Sequence, residues 1–333
     1  MRRQRGFVLP LTLWILAAVA VAAGALAERM MAALELARLS QQRVDKLIDM
    51  GGTRAEILFR LAVTPLSPFG LGTAPGQAVA LDDRPYRGEG GDVLRLQDNR
   101  GLLNLNFAGE ESLHRLLGAL NVPYEQRSRL VDTLNDYVDE DDLKRLNGAE
   151  AREYAAAGLP RPRNEKLVTP YEARNILGWS ELPQLWQSGG LPEFVATSRT
   201  AGLNPNTASW QVLMTLPGMT EESAKAMIAL RAQAPIQTLE QAALLMGRPV
   251  SSLLTDLFTF PSNSVRVTQG APGQAWALRY NVSLTPSGER SPWRIDYVYK
   301  IESPYPDVPI EPLPRLPEKS TLPAASAAPL LPF

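Results

Sequence analysis

The strongest constraint on this chain is an apolar run near its N-terminus, from Phe7 to Ala27. The run contains no charged residue and only one hydroxyl side chain, that of Thr12. As an α-helix it would extend about 30 Å, the thickness of the hydrocarbon core of a bilayer. Three arginines precede it and Glu28 follows it. Since positively charged flanks stay on the cytoplasmic side of a membrane, we expect one membrane-spanning helix with the rest of the chain exported.

A secretory signal peptide is the alternative interpretation of this run, because Ala25-Leu26-Ala27 matches an A-x-A cleavage site. Two observations weigh against its removal. The run is longer than the usual signal core of about 7–15 residues. Helical character also continues beyond it, since residues 28–50 contain neither Pro nor Gly. We therefore expect the apolar run to remain on the exported protein as its anchor.

The residue composition excludes several kinds of chemistry. The 333 residues include no cysteine, so disulfides, thiol nucleophiles and thiolate metal sites are ruled out. The single histidine, His114, removes most histidine-based catalysis and transition-metal binding from consideration. A net charge of −1 gives no general attraction to nucleic acid or to anionic lipid. Metal binding, if it occurs, would therefore use oxygen ligands and a hard cation.

Hydrophobic periodicity and composition divide the chain into segments. Apolar residues recur at helical spacing through residues 28–62, so the first helix is predicted to reach Leu61 and to be about 80 Å long. Gly51-Gly52 interrupts the apolar pattern and is a candidate kink. Residues 62–76 are predicted to form a Pro- and Gly-rich linker. The last segment, residues 303–333, is rich in Pro and is expected to be disordered.

Strand patterns occur in two places that a helical region separates. Residues 63–107 contain apolar runs on either side of Asp98-Asn99-Arg100-Gly101, a turn signal that predicts a hairpin. Residues 261–302 contain three further strand patterns rich in Val, Tyr and Trp. The intervening residues 108–260 have a helical pattern. We therefore expect an α+β fold in which a helical domain is inserted into a small antiparallel sheet, with its two ends close together.

The densest charge lies between Val131 and Tyr154, in the sequence VDTLNDYVDEDDLKRLNGAEAREY. So many carboxylates repel one another unless they are solvated or bridged by a cation. Several carboxylates in a loop suit Ca²⁺, which binds oxygen ligands. The EF-hand pattern is absent, and a solvated acidic face is the simpler alternative. The run could also supply the carboxylate pair of a glycoside hydrolase, although nothing in the sequence indicates a sugar-stacking cleft.

A second motif has the pattern of two helices joined by a Pro-Gly turn. Asn206 or Thr207 is predicted to cap a helix over residues 208–216, and Thr220 to cap the following helix. Such a helix-hairpin-helix suggests, as an alternative function, a membrane-anchored periplasmic DNA-binding protein. Glu221-Glu222 follows the turn, however, where the DNA phosphate would lie. Because carboxylates repel phosphate, we expect no binding of nucleic acid.

Several segments together resemble the K-type minor pseudopilins of the bacterial type II secretion system. The basic leader that ends in Gly6, followed by Phe7 and an apolar helix, resembles a type IV prepilin signal. Four further segments occur in the same order in that family. They are GLLNLN from Gly101, DYVDEDD from Asp136, GAE from Gly148 and LNPNTAS from Leu203. The resemblance extends roughly from Arg5 to Ile301.

The resemblance implies a type IV pilin-like fold, in which a long N-terminal helix packs on a small antiparallel sheet and a large all-helical domain is inserted. It implies that a prepilin peptidase removes residues 1–6 by cleavage between Gly6 and Phe7, and that Phe7 is N-methylated. Residues 7–27 would form a single inner-membrane span, with the bulk of the chain in the periplasm. The implied partners are the I- and J-type minor pseudopilins and the inner-membrane assembly platform.

Calcium is also implied by the resemblance, because family members bind it in the helical domain near the acidic segment. On this sequence the implied ligands of a structural Ca²⁺ ion are Asp139, Asp141, Asp142 and Glu150, with Asp136 as a further candidate. Immediately after Glu150 an alanine stands where the family often has an aspartate. We therefore expect that one ligand, or one of two sites, is missing.

The residue at the fifth position of the mature chain suggests where the protein acts. Most pilins and pseudopilins have a glutamate there, which is thought to pair with the free N-terminus of a neighbour. Counted from Phe7, that position is Leu11. An uncharged residue and a bulky inserted domain both suit a subunit at the tip of the pseudopilus, which initiates or caps its assembly. The implied function is thus non-enzymatic and serves the export of folded proteins across the outer membrane.

Overall fold

The first element, α1, is one continuous helix over Val8–Val63. The computed structural model describes residues 8–198, 200–247, 249–252, 256–289, 291–305, 309 and 311–317. At about 1.5 Å per residue the helix is about 84 Å long. It passes through Gly51-Gly52 without ending, because a glycine in a helix interior costs only about 1 kcal/mol relative to alanine. Its N-terminal part is the only described stretch that is long and apolar enough to cross a membrane.

Nine strands occur in the described part of the chain, and five of them form the main sheet. In chain order they are β1 Leu66–Ser67, β2 Gly70–Leu71, β3 Asp82–Arg87, β4 Val93–Asp98, β5 Leu103–Asn104, β6 Val195–Ala196, β7 Ser264–Gly270, β8 Trp276–Leu284 and β9 Trp293–Glu302. The main sheet has the order β3-β4-β7-β8-β9, and every pairing in it is antiparallel. The three strands predicted near the C-terminus are therefore all present.

The last turns of α1 pack against one face of this sheet. Ile57 and Leu61 are buried among apolar side chains of β4, β7 and β8. Burial of one such aliphatic side chain contributes about 1.5–3 kcal/mol, so this contact fixes the helix on the sheet. By contrast, residues 9–49 of the helix are exposed throughout. That exposed part includes the apolar run and is free to contact lipid or other helices.

The inserted domain leaves the sheet directly after β4 and returns where β7 begins. Asp98 lies opposite Val265, so the two ends of the insertion are adjacent, as expected. The hairpin predicted around residues 98–101 is wrong, because Asn99–Gly101 is a single 3-10 turn and β5 beyond it pairs in parallel with β6. Both edges of β4 are already occupied by β3 and β7, which leaves no edge for a hairpin partner. The insertion therefore begins at residue 99, and not at residue 108.

Asp98 holds both ends of the insertion at the sheet. Its carboxylate is fully buried, and Oδ1 accepts hydrogen bonds from the backbone N–H and the hydroxyl of Ser262, both at 2.8 Å. Oδ2 accepts from Asn204 Nδ2 at 3.0 Å and from Thr207 Oγ1 at 2.9 Å. A buried carboxylate is tolerated only when donors surround it in this way. Asp98, which belongs to the predicted turn, therefore stabilises the junction between the inserted domain and the sheet.

Six helices belong to the described part of the insertion. They are α2 Glu110–Ala119, α3 Tyr124–Val138, α4 Ala151–Ala156, α5 Trp210–Leu213, α6 Glu221–Gln233 and α7 Leu239–Met246. The predicted cap of α6 is confirmed, since the Thr220 hydroxyl accepts from the Ser223 N–H at 3.2 Å. The helix predicted over residues 208–216 is shorter, and Ser209 caps it. The Thr207 hydroxyl instead donates to Oδ2 of Asp98 at 2.9 Å.

The insertion consists of two units built on the same plan, residues 103–197 and residues 203–259. Each unit has its own hydrophobic core. Each begins with a Leu-Asn-x-Asn segment, and the two segments, at Leu103 and Leu203, are 100 residues apart. In both units the leucine makes a parallel β-bridge to chain near the end of the same unit. The first asparagine then accepts a hydrogen bond from the N–H of the second, at 3.0 Å in each case.

The second asparagine of each segment, Asn106 or Asn206, closes its unit with three hydrogen bonds. Its side-chain nitrogen donates to two backbone carbonyls at 2.8–3.1 Å, and its side-chain oxygen accepts from a backbone N–H at 2.8 Å. The backbone partners are those of Leu167 and Thr197 in the first unit, and of Ile236 and Thr259 in the second. Both asparagines are buried, so each ties together chain segments that are distant in sequence.

Part of the C-terminal segment, residues 303–333, is ordered on the sheet, contrary to the expected disorder. Tyr305 is fully buried against Val93 and Ile301. Further along, the N–H of Arg87 in β3 donates to the carbonyl of Pro314 at 2.9 Å. Proline lacks an N–H but keeps its carbonyl, and its fixed φ lowers the entropy lost on ordering. Residues 318–333 lie outside the described residues.

Candidate functional site

The acidic segment includes the loop between α3 and α4. Carboxylates of the same segment stabilise this loop through hydrogen bonds to its backbone. Asp136, at the end of α3, is fully buried, and its Oδ2 accepts from the backbone N–H of Arg145 at 3.2 Å. Asp132 accepts from the N–H of Asn147 at 3.0 Å. A Cβ added at Gly148 would lie 1.9 Å from Asp136 Oδ2, so only glycine allows this close approach. The carboxylates of α3 therefore order the loop.

Four buried oxygen atoms beside this loop have no hydrogen-bond partner among the described residues. They are both carboxylate oxygens of Glu150, Oδ1 of Asp139 and Oδ1 of Asn164. The amide nitrogen of Asn164 donates to the carboxylate of Asp142 at 3.1 Å and to the carbonyl of Asp141 at 3.0 Å, which brings these acids to the same place. A buried acceptor without a donor is costly. Because all four orphaned atoms are oxygen acceptors, they fit a hard cation such as Ca²⁺.

The electrostatics of the loop agree with this assignment. Burial, together with the negative charges of Asp136, Asp139, Asp142 and Asp141, raises the pKa of Glu150 to about 7. Burial also raises the pKa of Asp139, and the charge of Asp141 adds to that rise. Burial likewise raises the pKa of Asp136. The ionised carboxylates are thus poorly solvated and repel one another, and a divalent cation would relieve both effects.

The structure gathers the predicted ligands in one loop without forming a finished coordination sphere. Within the described ranges, no three carboxylate or histidine side chains form a group that could hold a metal ion. Asp136 is engaged by the loop backbone, and Asp141 accepts from the N–H of Leu143 at 2.8 Å. Glu150 and Asp139 keep unpaired oxygens. Asn164 was not predicted, because it lies in an irregular stretch beyond α4 where no residue spacing marks it as a ligand.

The residues predicted to govern processing and assembly lie at the start of the chain. Leu11 is in the first turns of α1, and 48% of its surface is exposed. Gly6 and Phe7 lie outside the described residues, so cleavage and N-methylation stay predictions. The exposed apolar surface of α1 continues past the membrane-spanning length, through Met31 and Leu34 to Ile48. Apolar surface of this extent on a helix is suited to packing against other helices.

The helical hairpin of α5 and α6 is present, and its turn carries acidic side chains. Gly218 has a φ of +78°, which allows the chain to reverse there. Glu221 and Glu222 lie exposed in the first turn of α6, and Lys225 pairs with Glu221 at 2.6 Å. Two carboxylates in this turn would repel a DNA phosphate bound at the start of α6. The geometry therefore gives no support to the DNA-binding alternative.

Comparison with known proteins follows the same division of the chain. A family model described as type II secretion system protein K matches residues 93–185, which hold β4 and most of the first unit. A second model with the same description matches residues 203–258, the second unit. No curated protein matches the sequence.

A solved structure is similar over most of the chain. It is a chain of the GspK-GspI-GspJ complex of the type 2 secretion system from enterotoxigenic Escherichia coli, with a TM-score of 0.56 and 20% sequence identity. The alignment covers 80% of this chain and 99% of that chain. At this identity the likeness bears on the fold alone, and it confirms the predicted α+β architecture. Since both family models describe the same secretion protein and together match both units of the insertion, this chain is a minor pseudopilin of the type II secretion protein K family.

Proposed function

We propose that this chain is the tip subunit of the secretion pseudopilus and that it initiates or caps the assembly of that filament. In this role it supports the export of folded proteins across the outer membrane and catalyses no reaction. The observation that carries the proposal is Leu11, an uncharged residue at the fifth position counted from Phe7. The inserted domain at the opposite end of α1 supports it further.

The argument from Leu11 is electrostatic. A carboxylate inside the membrane is costly unless a cation pairs with it, and the free N-terminus of an adjacent subunit is such a cation. Leu11 offers no charge to pair with a subunit that would be added above this one. The inserted domain adds bulk on the sheet beyond α1, where a further subunit would have to stack. Both features favour a terminal position in the filament.

The partners proposed for this chain are the I- and J-type minor pseudopilins. A chain of similar fold is part of a complex with GspI and GspJ. The exposed apolar side chains of α1, such as Met31, Leu34 and Leu36, provide a surface on which the helices of such partners could pack. The proposal also includes a prepilin peptidase, which would cleave at Gly6–Phe7, and the inner-membrane assembly platform.

The proposed location is the inner membrane, with the bulk of the chain in the periplasm. Support comes from the exposed, apolar N-terminal part of α1 and from the arginines at the start of the sequence. The lack of cysteine gives the exported part no disulfide, so its stability depends on its cores, its hydrogen bonds and the proposed cation.

We further propose a structural Ca²⁺ ion at the loop between α3 and α4. Glu150, Asp139, Asp142 and Asn164 would supply side-chain oxygens, and Asp141 is a further candidate. When bound, the ion would neutralise the crowded carboxylates and hold the loop against the first unit. Asp136 would support the site indirectly, because its carboxylate accepts a hydrogen bond from the backbone N–H of Arg145 and so holds the loop in place.

Immunogold labelling of isolated pseudopili tests the proposed position. We expect the label on this chain at one end of each filament. Label distributed along the filament would contradict a tip role. Leu11→Glu should allow incorporation below other subunits and move label away from the end, whereas Leu13→Glu, with the same charge in the same helix, should only lower the amount of protein in the membrane.

Mass spectrometry of the mature protein tests the proposed processing. An N-methylated Phe7 is expected. A chain that begins at Glu28 would show that the apolar run is a removed signal peptide, and the assembly proposal would then fail.

A further inference from the structure

The surroundings of α1 change abruptly at Gly51-Gly52. Residues 9–49 are exposed throughout, whereas Met50, Thr53 and Ile57 are buried. The two glycines themselves are exposed. They therefore separate an unsupported stalk, residues 9–49, from the part of the helix that packs on the sheet.

Packing does not explain these two glycines. A Cβ added to either of them would have open space around it, with no atom of another segment within 4 Å. Each glycine also makes the helix less stable than alanine would, because glycine loses more backbone freedom when a helix forms. The property that glycine does supply is this backbone freedom, and glycine pairs are among the few causes of sharp helix kinks.

Directly after the glycines, Asp92 fixes the helix to the sheet. The Thr53 hydroxyl donates to Oδ1 of Asp92 at 2.8 Å, and Nε2 of Gln269 donates to Oδ2 at 2.6 Å. All three side chains are buried. Since buried polar groups are costly to leave without partners, this side of the glycine pair stays attached to the sheet.

The stalk side of the glycine pair is held by fewer contacts. Among the described residues, a single hydrogen bond joins residues 9–50 to the sheet, from Nε2 of Gln269 to the carbonyl of Met50 at 2.7 Å. The Met50 side chain is only 6% exposed, and Asp49 touches the loop between β3 and β4 at Gly90. Loss of the Met50 contacts leaves both hydrogen bonds of Asp92 in place.

We propose that Gly51-Gly52 is a hinge in α1, which the contacts of Met50 with the sheet keep closed. With these contacts made, the helix is continuous, as in this structure. When they break, the stalk rotates about the glycines while Thr53 and Ile57 remain packed. The folded part then changes its angle to the stalk without unfolding. The hinge does not depend on the proposed filament role, but it would let a tip subunit reorient between membrane and filament.

Distances between spin labels, measured by electron paramagnetic resonance on the full-length protein in lipid nanodiscs, test the hinge. Because the chain has no cysteine, labels attach only at cysteines that are introduced. The spanning pair, Arg38→Cys and Glu302→Cys, joins the stalk to the exposed end of β9. The stalk pair, Arg29→Cys and Asp45→Cys, lies about 24 Å apart along the helix and reports on the helix alone.

Replacing both glycines by alanine should stiffen the hinge. In Gly51→Ala/Gly52→Ala the distance distribution of the spanning pair should narrow by about twofold or more, and the melting temperature should not fall. Gly24→Ala is the matched control. Its Cβ also meets nothing within 4 Å, and it lies in the same helix but outside the spanned segment, so the distribution should not change.

Met50→Ala should open the hinge, because alanine preserves helix propensity but removes the buried side chain. The fraction of molecules outside the distance of the continuous helix should rise by about twofold or more in the spanning pair. Met31→Ala is the control, since Met31 is 70% exposed on the same helix and should leave this fraction unchanged. The stalk pair should give one narrow distance in every variant.

Three results would overturn the inference. The first is a spanning distribution as narrow as that of the stalk pair in both wild type and Met50→Ala. The second is an unchanged width, or a lower melting temperature, after substitution of both glycines, because packing would then require glycine there. The third is equal broadening of the stalk pair, which would show that the whole helix frays and that no hinge exists.

Discussion

Replacing Glu150 by glutamine tests the candidate metal centre most directly. Glutamine keeps the size of the side chain and one acceptor oxygen but removes the charge. Both oxygens of Glu150 are buried without a partner, and neighbouring carboxylates repel its charge. Glu150→Gln should therefore stabilise the calcium-free protein and abolish its stabilisation by Ca²⁺. A metal ligand gives these opposite effects, whereas an ordinary buried acid or a solvated surface acid does not.

The expected magnitude follows from the pKa of Glu150, which rises from 4.5 to about 7 in the folded chain. Each pKa unit corresponds to about 1.4 kcal/mol, so the full rise would cost the calcium-free fold about 3 kcal/mol above pH 7. Because residues 140–147 of the adjacent loop are exposed to solvent, part of this cost is screened, and we expect about 1–2 kcal/mol. For a folded part of this size, the melting temperature should rise by about 2–8 °C.

The sign of the pH dependence is fixed by the direction of the shift. Below pH 4.5 Glu150 is protonated in both folded and unfolded chains, so wild type and Glu150→Gln should have equal stability. As the pH rises toward 7, the unfolded chain releases its proton first, and the calcium-free wild type loses stability relative to the variant. Calcium should reverse this loss of stability. At a free Ca²⁺ concentration of about 100 times the Kd, the ion should stabilise the folded wild type by about 2.7 kcal/mol.

Thermal unfolding of the full-length protein in detergent, followed by tryptophan fluorescence, measures these effects. Scans at pH 4.5 and pH 8, each with EDTA and with excess Ca²⁺, give four melting temperatures for each protein. Glu140→Gln is the matched control, because Glu140 is exposed in the same acidic run and should change none of them appreciably. A variant less stable than wild type in EDTA at pH 8, or still stabilised by Ca²⁺, would refute the assignment of Glu150.

Three further substitutions test the surrounding framework by thermal unfolding and hydrogen exchange. Gly148→Ala should cost about 1–3 kcal/mol because its Cβ would meet the carboxylate of Asp136, whereas Gly109→Ala, with nothing within 4 Å, should be nearly neutral. Equal effects of the two alanines would contradict the close approach at Gly148. Asn206→Ala should cost about 2–4 kcal/mol and loosen the second unit, and Asn106→Ala should do the same to the first. Uniform loss of exchange protection in both units, from either variant, would show that the units are not separately closed.

The parts of the fold that follow from local patterns were predictable. The length of α1 follows from its apolar periodicity, and the positions of β7, β8 and β9 follow from alternation and from β-branched and aromatic residues. The closeness of the carboxylates in sequence left a cation site and a solvated acidic face both open, and the calcium site implied by the family resemblance stays a prediction. Each of these signals operates over a few residues, which is the range on which helix and strand preferences act.

The hairpin predicted at residues 98–101 was wrong, and the helix predicted over residues 208–216 is present but shorter. At the predicted hairpin, long-range contacts of Asp98 outweigh its local turn preference. Asp98 accepts hydrogen bonds from Asn204, Thr207 and Ser262, which are far from it in sequence. The repeat of Leu-Asn-x-Asn at an offset of 100 residues is present in the sequence and marks the start of each of the two units.

Taken by itself, the sequence determined that this protein has an apolar run long enough to cross a bilayer, a helix too long for an ordinary domain, and a concentrated run of carboxylates. These properties depend on composition and spacing, which folding does not change. Only the tertiary structure decided which oxygens are left without donors, and that Asn164 joins the acids. It also decided that Arg279 is buried in an ion pair with Glu193 at 2.8 Å. Whether a polar group is satisfied depends on neighbours distant in sequence, and folding alone brings those neighbours together.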